Sequence, residues 1–199
     1  MNDELTIRPY QEGDEKEILK TFNLVFREVC GPEYVDRTMA QWQWAYRDNP
    51  AGRRMSLAVA EDGTVASQYA GMLMRCDTPW GERRLLHCVD SMTHPDWRQG
   101  LKAKSLFVET GLPFLAYSRE VGDALLYGFP VTVAYRIGKR YLEYSMMRVI
   151  DFLIRDLSQP ALSAPAGVAV EQVTEIPDEC EDLYAEVRAD KQFLLRRDR

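Results

Sequence analysis

The stretch LTIRPY (5 to 10) alternates apolar and polar positions, and after Asp14 the spacing changes, with Ile18, Phe22, Val25, Phe26 and Val29 recurring at helical intervals. A period near two followed by one near 3.6 predicts a strand and then an amphipathic helix with one buried stripe. A second helix is predicted through DRTMAQWQWAYRD, stopped by Asn49, Pro50 and Gly52. Its Trp42, Trp44 and Tyr46 cannot all share one helical face, which leaves packing and the lining of a groove as their two uses.

MSLAVA (55 to 60), Glu61-Asp62-Gly63 and TVASQYAGMLMRC (64 to 76) form the clearest hairpin pattern, because Asp-Gly supplies the positive φ of a tight turn. TPWGE (78 to 82) predicts a second turn. RRLLHCVDSMTH (83 to 94) predicts a further antiparallel strand whose centre is apolar enough to be buried on both faces. HPDWRQG ends it and opens a long helix with Leu101, Ser105, Val108, Leu112 and Leu115 toward the sheet. Pro113 interrupts this helix; an interior proline costs on the order of 3 kcal/mol, which predicts a kink near 109 to 111 or an early stop. DALLYGF (123 to 129) reads as a buried strand, and Pro130 starts a shorter helix through Tyr135 and Ile137. YLEYSMMRVIDFLIRDL (141 to 157) reads as one long strand or two. The order is that of an α/β (α+β) domain with a mixed, mostly antiparallel central sheet and helices on its flanks. The first strand lacks a following G-x-G-x-x-G, which argues against a dinucleotide unit.

Composition narrows the function. The 199 residues suffice for one core and the beginning of another, and 46% hydrophobic with 28% charged residues is the balance of a folded soluble protein. No apolar run reaches the roughly 20 residues of a membrane span, and MNDELTIRPY lacks a signal-peptide layout, so a cytoplasmic location and no membrane partner are expected. The formal charge of -6 argues against a nucleic-acid partner. The four cysteines, at 30, 76, 88 and 180, have no regular spacing and read as reduced thiols. A zinc site from Cys76, His87, Cys88 and His94 is disfavoured, since adjacent strand residues such as His87 and Cys88 point to opposite faces; no metal is expected.

The join HPDWRQGLKAK (94 to 104) places a Pro, basic residues and a Gly where a strand becomes a helix. A helix start exposes N–H groups and the positive dipole end, so this is a place for an anion such as phosphate. Together with the element order, the join resembles the GNAT superfamily of N-acyltransferases, whose pyrophosphate loop has the pattern [Q/R]-x-x-G-x-[G/A]. Arg98, Gln99, Gly100, Leu101, Lys102 and Ala103 fall on that loop; Arg98 and Ala103 match, and Leu101 stands where the family has Gly. W-x-W-x-Y…N-P-x-G (42 to 52), H-P-D-W-R (94 to 98) and G-F-P (128 to 130) extend the resemblance to one bacterial subgroup, over residues 5 to about 155.

The resemblance implies direct attack by the amine of a small molecule on the thioester of acetyl-CoA. Coenzyme A would lie in a splay between the fourth strand, ending Met92 and Thr93, and the fifth, ending Tyr127 and Gly128. Backbone near Met92 and Thr93 would pair with pantetheine and polarise the carbonyl. An ammonium must lose a proton first, and Asp90, an ionisable residue inside an apolar strand, is the candidate base, with a structural hydrogen-bond acceptor as its other reading. Tyr135 is the candidate acid for the leaving thiolate, or a packing residue. His94 reads as a turn-fixing or proton-relaying residue, Trp97 as packing, and Lys102 and Lys104 as solvated or in reach of the 3′-phosphate.

The chain is thus expected to hold a GNAT-like acyl-CoA domain over 1–157, a Pro/Ala/Ser-rich linker over 158–167, and a segment 168–199. That segment, read as strand and then helix, echoes the opening of the chain and resembles the start of a second GNAT-like half. The alternatives to an enzyme are a non-catalytic GNAT-fold domain binding an acyl-CoA or a partner, and a purely structural half; a homodimer or the second half is the protein partner to expect.

Overall fold

The computed structural model describes residues 4–98, 105–151, 154, 158 and 166–196. Strand β1 (Leu5–Pro9) leads into helix α1 (Glu15–Cys30), and Arg8 clamps the join by pairing with Asp14 at 2.7 Å. On α1, Ile18, Phe22 and Val25 are buried as the pattern requires, while Val29 is exposed. Helix α2 (Met39–Trp42) starts with a capping box between Thr38 and Gln41 and continues as a wider π-helical turn, Gln43–Arg47, where the sequence suggests one regular helix. Trp42 and Tyr46 are both buried and Trp44 is exposed, so two of these aromatics are core and neither lines a groove.

Strands β2 (Arg53–Ala60), β3 (Val65–Thr78) and β4 (Gly81–Thr93) form the expected antiparallel meander, with Gly63 at φ 88 in the first turn. After a 3-10 turn (Pro95–Trp97) come helix α3 (Leu106–Glu120), strand β5 (Leu125–Tyr127) and helix α4 (Thr132–Tyr141). The sheet runs β1-β2-β3-β4-β5, antiparallel except for the parallel β4–β5 pair, and a short strand β6 (Leu194–Leu195) pairs with the outer end of β3. One face is covered by α1 and the α2 region through Ile18, Phe22, Trp42, Tyr46, Leu57 and Met92. The other packs Tyr69, Leu73, Leu86, Val108, Phe114 and Leu142. None of the described helices is long and apolar enough to cross a membrane.

Three sequence expectations are corrected. First, the face that α3 buries differs from the expected one, in a helix that runs on past Pro113 to Glu120 and so excludes the early stop of the two alternatives. Its buried side carries Leu106, Val108, Thr110, Gly111, Phe114 and Ser118, and Leu112 is exposed. Small residues form that face because the helix approaches the sheet closely: a Cβ on Gly111 would lie 3.1 Å from the Tyr69 ring. Tight burial of this kind offsets the hydrogen bond that a proline removes. Second, 142–151 forms no strand, and Met147 and Val149 stay exposed. An alternating pattern becomes a strand only beside another strand that takes up its N–H and C=O groups. Third, 168–173 is likewise not a strand, although a helix, α5 (Glu179–Asp190), does follow Asp178.

The chain divides into two compact units, Met1–Tyr144 with Gln192–Arg199, and Ser145–Lys191.

Candidate active site

Strands β4 and β5 pair through Leu85↔Leu125, Leu86↔Leu126 and His87↔Tyr127, and there the ladder ends. Gly128 follows so closely that a Cβ on it would come 2.8 Å from the Cys88 carbonyl oxygen. Beyond that point β4 changes course. Its register against β3 shifts between Gln68 and Ala70, and Asp90 has φ 57, a left-handed conformation that aspartate tolerates better than most residues. This is a β-bulge, which adds a residue to one strand and bends it. Gln68, fully buried, donates from Nε2 to the Asp90 carbonyl at 3.0 Å and pins the bulge. The expected splay between the fourth and fifth strands is therefore present, with its apex at His87 and Tyr127.

The backbone along the β4 edge can be assigned from alternation. His94 donates its N–H to Ala66, and the Met92 carbonyl accepts from Ser67 Oγ at 3.0 Å, so positions 92 and 94 face β3. Antiparallel strands turn alternate residues to opposite neighbours, which leaves Ser91 and Thr93 facing the splay. The Thr93 carbonyl accepts from Arg98 Nε at 2.9 Å. Of the two sequence candidates, Thr93 thus offers its N–H to the splay, whereas Met92 contributes a buried side chain to the core below.

The Asp90 side chain turns to the α1 face. Its Oδ2 accepts from Tyr46 OH at 2.5 Å and pairs with Arg37, whose other nitrogen reaches Oδ1 only at 3.4 Å. Burial, reinforced by the charge on Asp90, pushes the Tyr46 hydroxyl well above the ordinary tyrosine value, so it stays protonated and donates. Arg37 also lies over the Phe22 ring, 3.9 Å from its centroid. Oδ2 is committed to two donors, and Oδ1 retains acceptor capacity.

His87 shares this face with Val89 and with its cross-strand neighbour Met72, both packed toward α1, while Cys88 packs toward α3. Opposite faces keep His87 and Cys88 from sharing one metal. The His87 ring stacks on Tyr127 at 4.9 Å, and among the described residues its Nε2 has no hydrogen-bond partner. Burial lowers its pKa below the usual 6.5. The unfolded chain accepts a proton near that ordinary value and the folded chain only at lower pH. Stability from this group is complete above pH 6.5 and is lost as pH falls through the folded value. Wild type should therefore lose stability relative to His87→Gln between pH 7.5 and pH 5, measured as the gap between their urea midpoints.

The remaining sequence candidates are dispersed. Arg98 chelates Glu28, with Nη1 2.8 and 2.9 Å from the two carboxylate oxygens. Gln99, Gly100, Leu101, Lys102 and Ala103, with Lys104, lie outside the described residues. Tyr135 is half-buried in the first turn of α4. His94 accepts from the Asp96 N–H and fixes the 3-10 turn, and Trp97 packs on the Ala58, Ala66 and Leu106 cluster. On the α3 side the Tyr144 hydroxyl meets that of Tyr69, in the same cluster as Cys88, whose thiol burial pushes up to about 12. Arg37, Gln68 and Tyr144 had no local motif pointing to this place, and nothing local joins Tyr46 or His87 to Asp90; register and long-range packing set Arg37, Tyr46, Gln68 and His87 around Asp90 and Tyr144 on the α3 side.

No family model and no curated protein matches the chain. Solved structures do. An acetyltransferase of Trypanosoma brucei superposes with a TM-score of 0.57 at 16% identity, covering 76% of this chain and 100% of that one. Glucosamine-6-phosphate N-acetyltransferase from Arabidopsis thaliana gives 0.58 at 12% identity over 77% and 100% of the two chains. An aminoglycoside acetyltransferase from an uncultured soil metagenomic sample, in complex with sisomicin, gives 0.59 at 13% over 76% and 95%. The chain shares the fold of these acetyltransferases.

Proposed function

We propose that this chain is an N-acetyltransferase that moves the acetyl group of acetyl-CoA to the amine of a small molecule by direct attack. The observation that carries this reading is the splay: the β4–β5 ladder ends at His87 and Tyr127, a bulge follows at Asp90, and among the described residues the Thr93 N–H faces no neighbouring strand. The acetyltransferases with this fold support the reaction class, and the aminoglycoside enzyme among them supports a small-molecule acceptor.

Acetyl-CoA supplies an activated thioester carbonyl. Thr93 N–H is the donor placed to polarise it, in the manner of an oxyanion hole. Oδ1 of Asp90 accepts a proton from the acceptor's ammonium, directly or through a water. The amine nitrogen then attacks the carbonyl carbon, the C–N bond forms, the C–S bond breaks, and the second amine proton passes to solvent. The leaving sulfur takes a proton from a hydroxyl. Tyr135 is the sequence candidate for that donor, and Tyr144, packed near Cys88, is the one the fold suggests. Arg98 and the 99–103 loop would hold the pyrophosphate, with Arg98 exchanging Glu28 for phosphate oxygens.

That exchange favours a second reading, a non-catalytic domain that binds an acyl-CoA or a partner, because the cation meant for phosphate is already paired with Glu28 and Leu101 replaces the usual Gly. Calorimetry and turnover separate the two. Acetyl-CoA should bind with modest affinity, tighten in Leu101→Gly and weaken in Arg98→Ala. Binding without acetyl transfer to any amine selects the second reading; no binding by wild type or Leu101→Gly at millimolar acetyl-CoA removes both. Helix α5, at the place where the sequence pattern puts a helix, supports reading the segment from Val168 as the start of a second GNAT-like half.

A further inference from the structure

The acceptor's chemistry is written at the apex of the splay. His87 and Tyr127 lie nearly parallel, with an interplanar angle of 6°. Phe129 stands edge-on to both, at 81° and 5.7 Å from His87 and at 85° and 6.4 Å from Tyr127. The three rings form a corner at the last register pair of β4 and β5, and Phe129 is 66% exposed there. The Tyr127 hydroxyl donates to the Met74 sulfur at 3.0 Å, so it is turned onto a thioether and the corner presents ring faces and edges.

The same α1 face carries Asp90, three positions along β4 from His87, or about 10 Å of strand before the bulge shortens it. The Asp90 charge is felt at His87, and its Oδ1 is the oxygen with acceptor capacity left. Burial lowers the His87 pKa, which favours an uncharged corner at neutral pH. One carboxylate, with Oδ2 taken by Arg37 and Tyr46 and Oδ1 open to a further donor, suits a single ammonium group. A polycation or a polyhydroxylated sugar needs several acidic or hydrogen-bonding side chains, whereas the described residues here set three rings beside the carboxylate of Asp90.

We propose that the acceptor is a primary amine joined to an aromatic ring by a short alkyl spacer, its ring seated in the His87, Tyr127 and Phe129 corner and its ammonium on Asp90 Oδ1. The assignment rests on the acetyl-transfer reading above for the word acceptor, but the binding site it names stands on the rings and the carboxylate alone.

The test is calorimetric titration of the full chain with 2-phenylethylamine, glucosamine and spermidine, with and without acetyl-CoA, and with mass spectrometry of the products. Phenylethylamine should bind at least ten times more tightly than the other two, weaken about tenfold or more in Phe129→Ala, and recover in Phe129→Tyr. Phe129 is exposed, so its truncation should leave the unfolding midpoint unchanged. Preference for glucosamine or spermidine, or equal phenylethylamine affinity in wild type and Phe129→Ala, overturns the proposal. Phenylethylamine binding that depends on Phe129, in a protein that ignores acetyl-CoA, upholds the ring site and removes the transfer reading. Acetyl-CoA binding without phenylethylamine binding does the reverse.

Discussion

Replacing Asp90 with asparagine should slow acetyl transfer by about 100-fold or more, the usual contribution of a positioned proton acceptor, while leaving acetyl-CoA affinity within about twofold of wild type. Asparagine is close to isosteric and also tolerates the left-handed backbone that φ 57 imposes, so the bulge should survive. Tyr46 retains an oxygen to donate to. Arg37 loses its counterion, but its side chain is 27% exposed and can turn to water. The expected stability loss is therefore about 1–2 kcal/mol, below the 3–5 kcal/mol of a fully buried pair broken on one side. Single-turnover rates, calorimetry on acetyl-CoA and a urea curve for the same variant separate the three effects. An unchanged rate would remove Asp90 from the proton path and leave it as a brace for Arg37 and Tyr46.

The largest stability effect is expected at Asp123, in the turn between α3 and β5. Its carboxylate is completely buried and takes Arg54 Nε at 3.2 Å from β2 and Arg84 Nε at 3.2 Å from β4. The three groups tie the start of β5 to two other strands of the sheet. Asp123→Ala leaves the mostly buried Arg54 unpaired, which should cost about 3–5 kcal/mol, visible as a lower urea midpoint at unchanged slope. A midpoint shift equivalent to under about 1 kcal/mol would mean that water reaches Arg54 and that the triad is ornamental. Because β5 forms the far wall of the splay, the surviving folded fraction of this variant should also bind acetyl-CoA less tightly.

Legibility in the sequence followed the range of the interaction. The Asp62-Gly63 hairpin, the α1 stripe and the identity of β4 depend on neighbours a few residues apart, and all three are where the pattern puts them, save the exposed Val29 at the end of the stripe. Asp90 stands out as an ionisable residue in an apolar strand, but its partners Arg37 and Tyr46 are 53 and 44 residues away; Tyr46 is legible as one of three clustered aromatics, and nothing local joins either residue to Asp90. The bulge is equally hidden, because its left-handed residue is an aspartate where a glycine would have advertised it. The α3 face was misread since Thr110, Gly111 and Ser118 face the sheet for closeness of approach, and hydrophobic periodicity counts them as polar or small. The ring corner depends on the register of β4 against β5, which only the fold supplies.

The most direct test of the account is a crystal structure of the chain grown with millimolar acetyl-CoA. The account predicts pantetheine running between β4 and β5 along residues 91–93, the thioester oxygen within hydrogen-bond distance of the Thr93 N–H, and Arg98 moved from Glu28 to the pyrophosphate. Acetyl-CoA bound elsewhere, or crystals in which the 91–93 edge carries no cofactor density at that concentration, would contradict it.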